Sequence, residues 1–213
     1  GIALMVNDVS NMTRAPIKTN QDSAEKRAIR ADLKYAISIC NREKIAIVCE
    51  CGSGSDIDFL LQYGFKIHGF DSEEEAFLIC EQRLDRYHTV FLYKETFDSF
   101  NFPTASLVVT DKSLLFCSTY NFSCIWDKIN RCLDLKGIFI GCFLGIEDSK
   151  ARNHNTKEHM RSSILAFSES KIRGHFSNFE IMRLCEHRNS SIDTQGNSSD
   201  SHIFSIVARK VSA

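Results

Sequence analysis

Residues 44–71, KIAIVCECGSGSDIDFLLQYGFKIHGFD, decide the fold. KIAIVC (44–49) is a short, continuously apolar run ended by turn residues, which predicts a strand buried on both faces. ECGSGS follows it, and Gly52 and Gly54 allow the backbone to turn tightly into the next element. SDIDFLLQYG (55–64) reads as a helix that Gly64 ends. FKIHGFD (65–71) reads as a second strand closing on an acid, Asp71. Strand, glycine turn, helix, strand is the pattern of a right-handed βαβ unit with parallel strands.

The same alternation continues outward. DSEEEAFLICEQRL (71–84) predicts a helix with Ser72 as its N-cap and three glutamates in the first turn, where negative charge is favourable. HTVFLYK (88–94) and ASLVVTD (105–111) read as the third and fourth strands. Residues 120–133 carry helical spacing through Phe122, Ile125, Trp126, Ile129 and Leu133. KGIFIGCFLG (136–145) is a fifth strand, too apolar for a solvated face. A short helix is expected near 168–176. FEIMRLCEHR (179–188) and HIFSIVARK (202–210) then read as two strands joined by the polar loop SSIDTQGNSSDS. Upstream, a helix beginning near Asp22 or Ser23 carries Ala28, Leu33, Ala36, Ile37 and Cys40 on one stripe. The expected architecture is α/β, a doubly wound, mostly parallel seven-stranded sheet with an antiparallel terminal hairpin. Residues 1–21 are polar and aperiodic and are expected to form a flexible arm, leaving 22–213 as a single domain.

Composition narrows the classes of function. Twenty-six basic residues face 27 acidic ones for a net charge of −1, so no global field favours nucleic acid as a partner. No run of about 18 apolar residues is present, so no membrane-spanning helix is expected. The opening residues GIALMVNDVSNMTR lack the basic and apolar regions of a secretion signal. Nine cysteines, an odd number lying mostly in apolar runs, fit buried free thiols in a reducing cytoplasm. Cys49 and Cys51 have no matching Cys/His pair at zinc spacing, so no metal is expected.

In an open α/β sheet, ligands bind beyond the carboxyl ends of the strands. The candidate ligand groups are therefore the glycine turn and Asp71, a carboxylate able to accept both hydroxyls of a ribose. The third glycine of a dinucleotide-binding GxGxxG would fall on Ile57, which disfavours NAD. No GxxxxGK[ST] is present either. Adenosine without a pyrophosphate is the ligand class that remains favoured.

The ordered segments CGSGSD (51–56), GFKIHGFD (64–71), SLLFC (113–117), IWDKINRCLDLKGIFIGCFLGIEDS (125–149), FEIMRLCE (179–186) and SHIFSIVARK (201–210) resemble S-adenosylmethionine-dependent methyltransferases of the tellurite-resistance-like group. The resemblance covers roughly residues 28–210 and implies a Rossmann-like, class I methyltransferase fold. It implies that Glu50, Gly52, Ser53 and Gly54 adjoin the methionine end of the cofactor. Asp71 would hold its ribose, Ser72 would lie beside the adenine, and Glu95, Thr96 and Phe97 near the adenine edge. Thr110, Asp111 and Leu115 would lie where the methyl group leaves, with Asp111 as the substrate-side polar group. Arg14 and Pro16 resemble an N-terminal segment that folds over the pocket.

The chain also departs from the family. An ungapped alignment puts Val48 where the family has its first acid and Glu50 at its first glycine, while Ser106 replaces the Asp that opens the fourth strand. A second register takes Glu50 as the motif acid, at the cost of a shorter spacing to Asp71. The activity implied is methyl transfer from S-adenosylmethionine to a small molecule, with S-adenosylhomocysteine as product. The alternative is a catalytically inactive, methyltransferase-like binding or scaffold protein.

Overall fold

The computed structural model describes residues 20–154 and 164–213. Seven strands form one sheet in the order β3-β2-β1-β4-β5-β7-β6. They are β1 (Ile45–Cys49), β2 (Lys66–Phe70), β3 (Val90–Tyr93), β4 (Ala105–Asp111), β5 (Leu133–Leu144), β6 (Phe179–Ile192) and β7 (Ser198–Lys210). The pairings among β1 to β5 are all parallel. β7 enters antiparallel between β5 and β6. The doubly wound, mostly parallel sheet with its antiparallel end is the fold expected from the sequence.

The helices are α1 (Asn20–Ile39), α2 (Ser55–Leu61), α3 (Glu74–Leu84), α4 (Thr119–Cys132), α5 (Ser149–His154) and α6 (Glu169–His175). Two buried layers sandwich the sheet. One is aliphatic and brings α1, α2 and α3 onto it through Leu33, Ala36, Ile57, Leu60, Leu84 and strand residues such as Val109 and Ile138. The other is strongly aromatic, with Phe122 and Trp126 of α4 and Phe176, just past α6, packed on Phe139 and Phe143. Alternate strand residues face opposite layers, so Val108 lies in the aromatic layer and Leu107 and Val109 in the aliphatic one.

Several sequence expectations shift. α1 begins at Asn20, so the last two residues of the expected arm are helical, and the rest of that arm, with Arg14 and Pro16, lies outside the described residues. The second helix stops at Leu61, and Gly64, at φ +81°, makes the turn beyond it. The loop expected between the last two strands is mostly strand: Ser190–Ile192 pair with Ser198–Asp200, leaving a turn of 193–197. Asp193 tightens that turn by accepting from the amides of Gln195 and Asn197. The polar composition misled here because this end of the hairpin is solvated, so its sequence does not alternate. Among the described residues, no helix is long and apolar enough to cross a membrane.

Candidate functional site

Strand order reverses between β1 and β4, and the loops after these two strands flank the crevice where open α/β sheets take ligands. After β1 the chain turns sharply into α2. Glu50 (φ +48°), Gly52 (φ +56°) and Gly54 (φ +93°) all adopt left-handed backbone. The Cys51 amide continues the pairing with β2 by donating to Phe70 O at 2.9 Å, and Gly54 N closes the turn onto Cys51 O at 2.9 Å. Asp58 N then donates to Gly54 O, starting α2.

The two glycines serve different needs. A Cβ on Gly54 would meet Leu84 Cδ1 at 2.7 Å and Cys80 Sγ at 3.0 Å, so this glycine lets α3 pack close. A Cβ on Gly52 would meet nothing within 4 Å, so its backbone is open to a ligand. Ser53 presents its carbonyl to the Arg83 guanidinium, which also pairs with Asp58 and ties the turn to α3.

Asp71 sits just past β2, 8% exposed. Its Oδ2 accepts the Gly52 amide at 2.9 Å and its Oδ1 accepts the Glu73 amide at 2.9 Å. Each oxygen thus spends one lone pair on the backbone and keeps another, which leaves a pair of acceptors for a vicinal diol. The same contacts fix the glycine turn relative to β2. Ser72 does not cap α3 as expected. Glu73 does, accepting from Ala76 N at 2.7 Å and Glu75 N at 3.3 Å, because Asp71 already holds the Glu73 amide and moves the helix start one residue on. Ser72 is exposed beside Asp71.

Glu50 is exposed at the tip of β1. Surrounding protein raises its carboxyl above the ordinary value, and the Asp71 carboxylate adds to the shift. Cys117, in the loop after β4, is pushed up to about 11 by burial, then by Glu50 and Asp98.

Asp111 ends β4 at φ +43°. Burial, then the Asp56 side chain of α2, push its carboxyl up to about 9, so it is protonated at neutral pH. Its Oδ1 is buried without a hydrogen-bond partner. Asp56 also pairs with Arg30 of α1 at 3.3 Å, and Lys112 pairs with the buried Glu25 of α1. These ion pairs tie α1 to the start of α2 and to the end of β4. Nothing in the sequence flags them, since Asp56 and Asp111 lie in separate elements with unrelated spacing.

The remaining candidates lie in packing or turns. Thr110 is 1% exposed and donates to Ile140 O at 3.2 Å. Leu115 is buried beside Cys142 and Leu144. Phe97 is buried edge-on against Phe70 at 5.1 Å. Thr96 and Ser99 hydrogen-bond each other in a turn after β3. Glu95, partly exposed, lines a cavity of about 160 Å³ with His68 and Tyr93.

Two departures from the family pattern find their places. Ser106 is buried at the start of β4, where its Oγ accepts Ile45 N at 3.2 Å and donates to Ile45 O at 3.0 Å. Ile45 opens β1, so Ser106 stitches the end of the sheet remote from the glycine turn, a strand length of about 13 Å away. Val48 is buried among aliphatic residues. His202 lines a cavity of about 280 Å³ with Glu147 and Asp200, away from the glycine turn. It is 2% exposed, its Nδ1 accepts Glu147 N at 3.0 Å, and its Nε2 meets Glu186 at 2.7 Å. His154 ends α5, and His159 lies outside the described residues.

No family profile matches the chain, and no curated protein does either. Solved structures match it in shape. TehB from Haemophilus influenzae superposes with a TM-score of 0.65 at 14% identity over 84% of this chain, which spans only 62% of the TehB chain. The N-methyltransferase NodS from Bradyrhizobium japonicum WM9 gives 0.64 at 14% identity, over 90% of this chain and 99% of its own. Magnesium protoporphyrin IX methyltransferase (ChlM) from Synechocystis PCC 6803, solved with bound S-adenosylmethionine, gives 0.61 at 16% identity, over 91% of this chain and 85% of its own. The chain shares the Rossmann-like fold of these methyltransferases.

Proposed function

We propose that this protein is an S-adenosylmethionine-dependent methyltransferase acting on a small molecule. The observation that carries the reading is Asp71, whose two oxygens bind the Gly52 and Glu73 amides while the Cβ side of Gly52 stays open. That arrangement offers a diol acceptor beside a backbone a ligand can approach closely, which suits the ribose and methionine portions of the cofactor. Ser72, Glu95, Thr96 and Phe97 are assigned to the adenine side. Bound there, S-adenosylmethionine supplies an electrophilic methyl group. The chain's own contribution is to hold donor and acceptor at attack distance and exclude water, which alone lowers a transfer barrier greatly.

Asp111 is assigned to the acceptor side. Its raised carboxyl makes it a hydrogen-bond donor at neutral pH rather than a base. Glu50 brings a negative charge to the turn, where it attracts the cofactor's sulfonium and ammonium groups. Two unit charges about 4 Å apart near a protein surface interact by around 4 kcal/mol, enough to govern affinity.

Glu50 also motivates the inactive-scaffold reading, in which it repels the cofactor's carboxylate. Ser106 and Val48 lend that reading no support, because they serve the sheet and the aliphatic layer. Calorimetric titration with S-adenosylmethionine and S-adenosylhomocysteine separates the two. Micromolar binding that Asp71→Ala abolishes supports the enzyme, and labelled methyl transfer to a small-molecule panel follows. No binding by the wild type, with binding gained in Glu50→Gly, supports the scaffold.

A further inference from the structure

A cavity of about 590 Å³ lies between α4 and α6, on the aromatic side of the sheet. That volume falls in the range of small-molecule sites, roughly 300–1,000 Å³. Thr119, Ser123, Trp126 and Asn130 line it along one stripe of α4, a length of about 16 Å at the helical rise. Leu165 and Phe167 complete it. They are held by Leu165 N donating to Cys117 O at 3.0 Å and Phe167 N to Leu144 O at 2.8 Å. None of the residues assigned to the cofactor or the acceptor lines this cavity.

Its rings are set for a flat ligand. Phe122 and Trp126, one helical turn apart, are nearly parallel, with 6.1 Å between centroids and 7° between planes. His175 of α6 tilts against both, 4.6 Å from Trp126 and 5.0 Å from Phe122. Aromatic rings gain most from offset and tilted contacts of this kind.

Two polar groups at the cavity are left over. His175 Nε2 is buried without a hydrogen-bond partner, which is costly. Burial, then Lys171, push this imidazole down to about 4, so at neutral pH it is uncharged and each ring nitrogen either donates or accepts. A ligand hydroxyl does both and meets either tautomer. Lys171 Nζ lies 5.3 Å from the Phe167 centroid and donates to Ala166 O at 3.4 Å, which leaves further donors on the ammonium. The one acid of each helix is already engaged, Asp127 with Arg131 at 2.6 Å and Glu169 with Arg173 at 3.5 Å. Among the described residues, Lys171 therefore gives the cavity an uncompensated positive charge.

We propose that this cavity is a small-molecule site separate from the glycine turn, taking a planar aromatic carboxylate that carries a hydroxyl group. The ligand ring lies against Phe122 and Trp126, the carboxylate meets Lys171, and the hydroxyl meets His175 Nε2.

Trp126 is the chain's single tryptophan, so its indole N–H gives one NMR signal that needs no assignment. Isotope-labelled protein is titrated with hydroxynaphthoate, and affinity is measured in parallel by calorimetry. The expected result is a saturable shift of the indole signal. Lys171→Met and His175→Phe are each expected to weaken binding about fivefold. Ser123→Phe, at an exposed position on α4, puts a ring into the cavity without touching the core and is expected to abolish binding. Hydroxynaphthamide, which lacks the charge, and decanoate, which lacks the ring, are expected to bind more weakly than the probe. No shift at about 1 mM probe, or binding that leaves the indole signal in place, overturns the site. Undiminished binding by Ser123→Phe overturns it too. Equal affinity for hydroxynaphthamide overturns the carboxylate, and equal affinity for decanoate overturns the aromatic ligand. The titration uses no S-adenosylmethionine, so its outcome is independent of the proposed function.

Discussion

Asp111 at the end of β4 is largely buried beside Asp56 of α2. Burial, then Asp56, push the Asp111 carboxyl up to about 9, and Arg30 pairs with Asp56 at 3.3 Å. One proton and one arginine thus accommodate two carboxyl groups that could not both be ionised so close together without cost.

This pair sets a pH dependence. A carboxyl whose pKa is higher in the folded state contributes stability that is complete below its unfolded value and is lost as pH rises through the folded value. The window runs from the ordinary carboxylate range up to about 9. Asp111→Asn, which keeps a donor but cannot ionise, is expected to flatten this loss. Thermal melts from pH 6 to 9.5 should show the wild-type midpoint falling by about 5 °C or more relative to the variant. Parallel curves would show that Asp111 does not hold its proton.

Asp71→Ala removes the acceptor for two backbone amides, Gly52 and Glu73. A cost of about 1–3 kcal/mol in urea unfolding is expected, with cofactor affinity falling by tenfold or more, on the order of 1.4 kcal/mol per decade. A stability loss with unchanged affinity would confine Asp71 to holding the turn.

Glu50→Gln removes a negative charge while keeping the side chain's size. S-adenosylmethionine carries a sulfonium charge and S-adenosylhomocysteine does not. Titration with both is expected to show the variant weakened toward both ligands, through the ammonium they share, and weakened more toward the first. Tighter binding of both ligands by the variant would mean that Glu50 obstructs the site.

Gly54→Ala places a methyl group 2.7 Å from Leu84 Cδ1 on a backbone at φ +93°. Strain and overpacking together are expected to cost about 2–4 kcal/mol, read as a lower urea midpoint. Ser106→Ala leaves the Ile45 amide and carbonyl without their side-chain partner, and about 1–2 kcal/mol is expected. Its cofactor affinity should equal the wild type's, since the serine lies at the opposite end of the sheet.

Sequence alone determined the order of the strands and of the helices other than α5, which lies in a stretch that reads as polar, together with the parallel sheet with its antiparallel end and the glycine turn beside Asp71. These are legible because periodicity, chain breakers and strand-end acids are local signals, and a βαβ crossover has essentially one handedness. Element ends were less legible. Glu73 rather than Ser72 caps α3 because of a hydrogen bond to Asp71, and the last hairpin extends through residues whose polar composition reads as loop. Only the tertiary structure decided the rest. Arg30 pairs with Asp56, Ser106 bonds Ile45 and His202 is buried under Gly145. Each pair joins different elements, and no spacing along a chain reveals a contact that exists only once the sheet and its helices have packed.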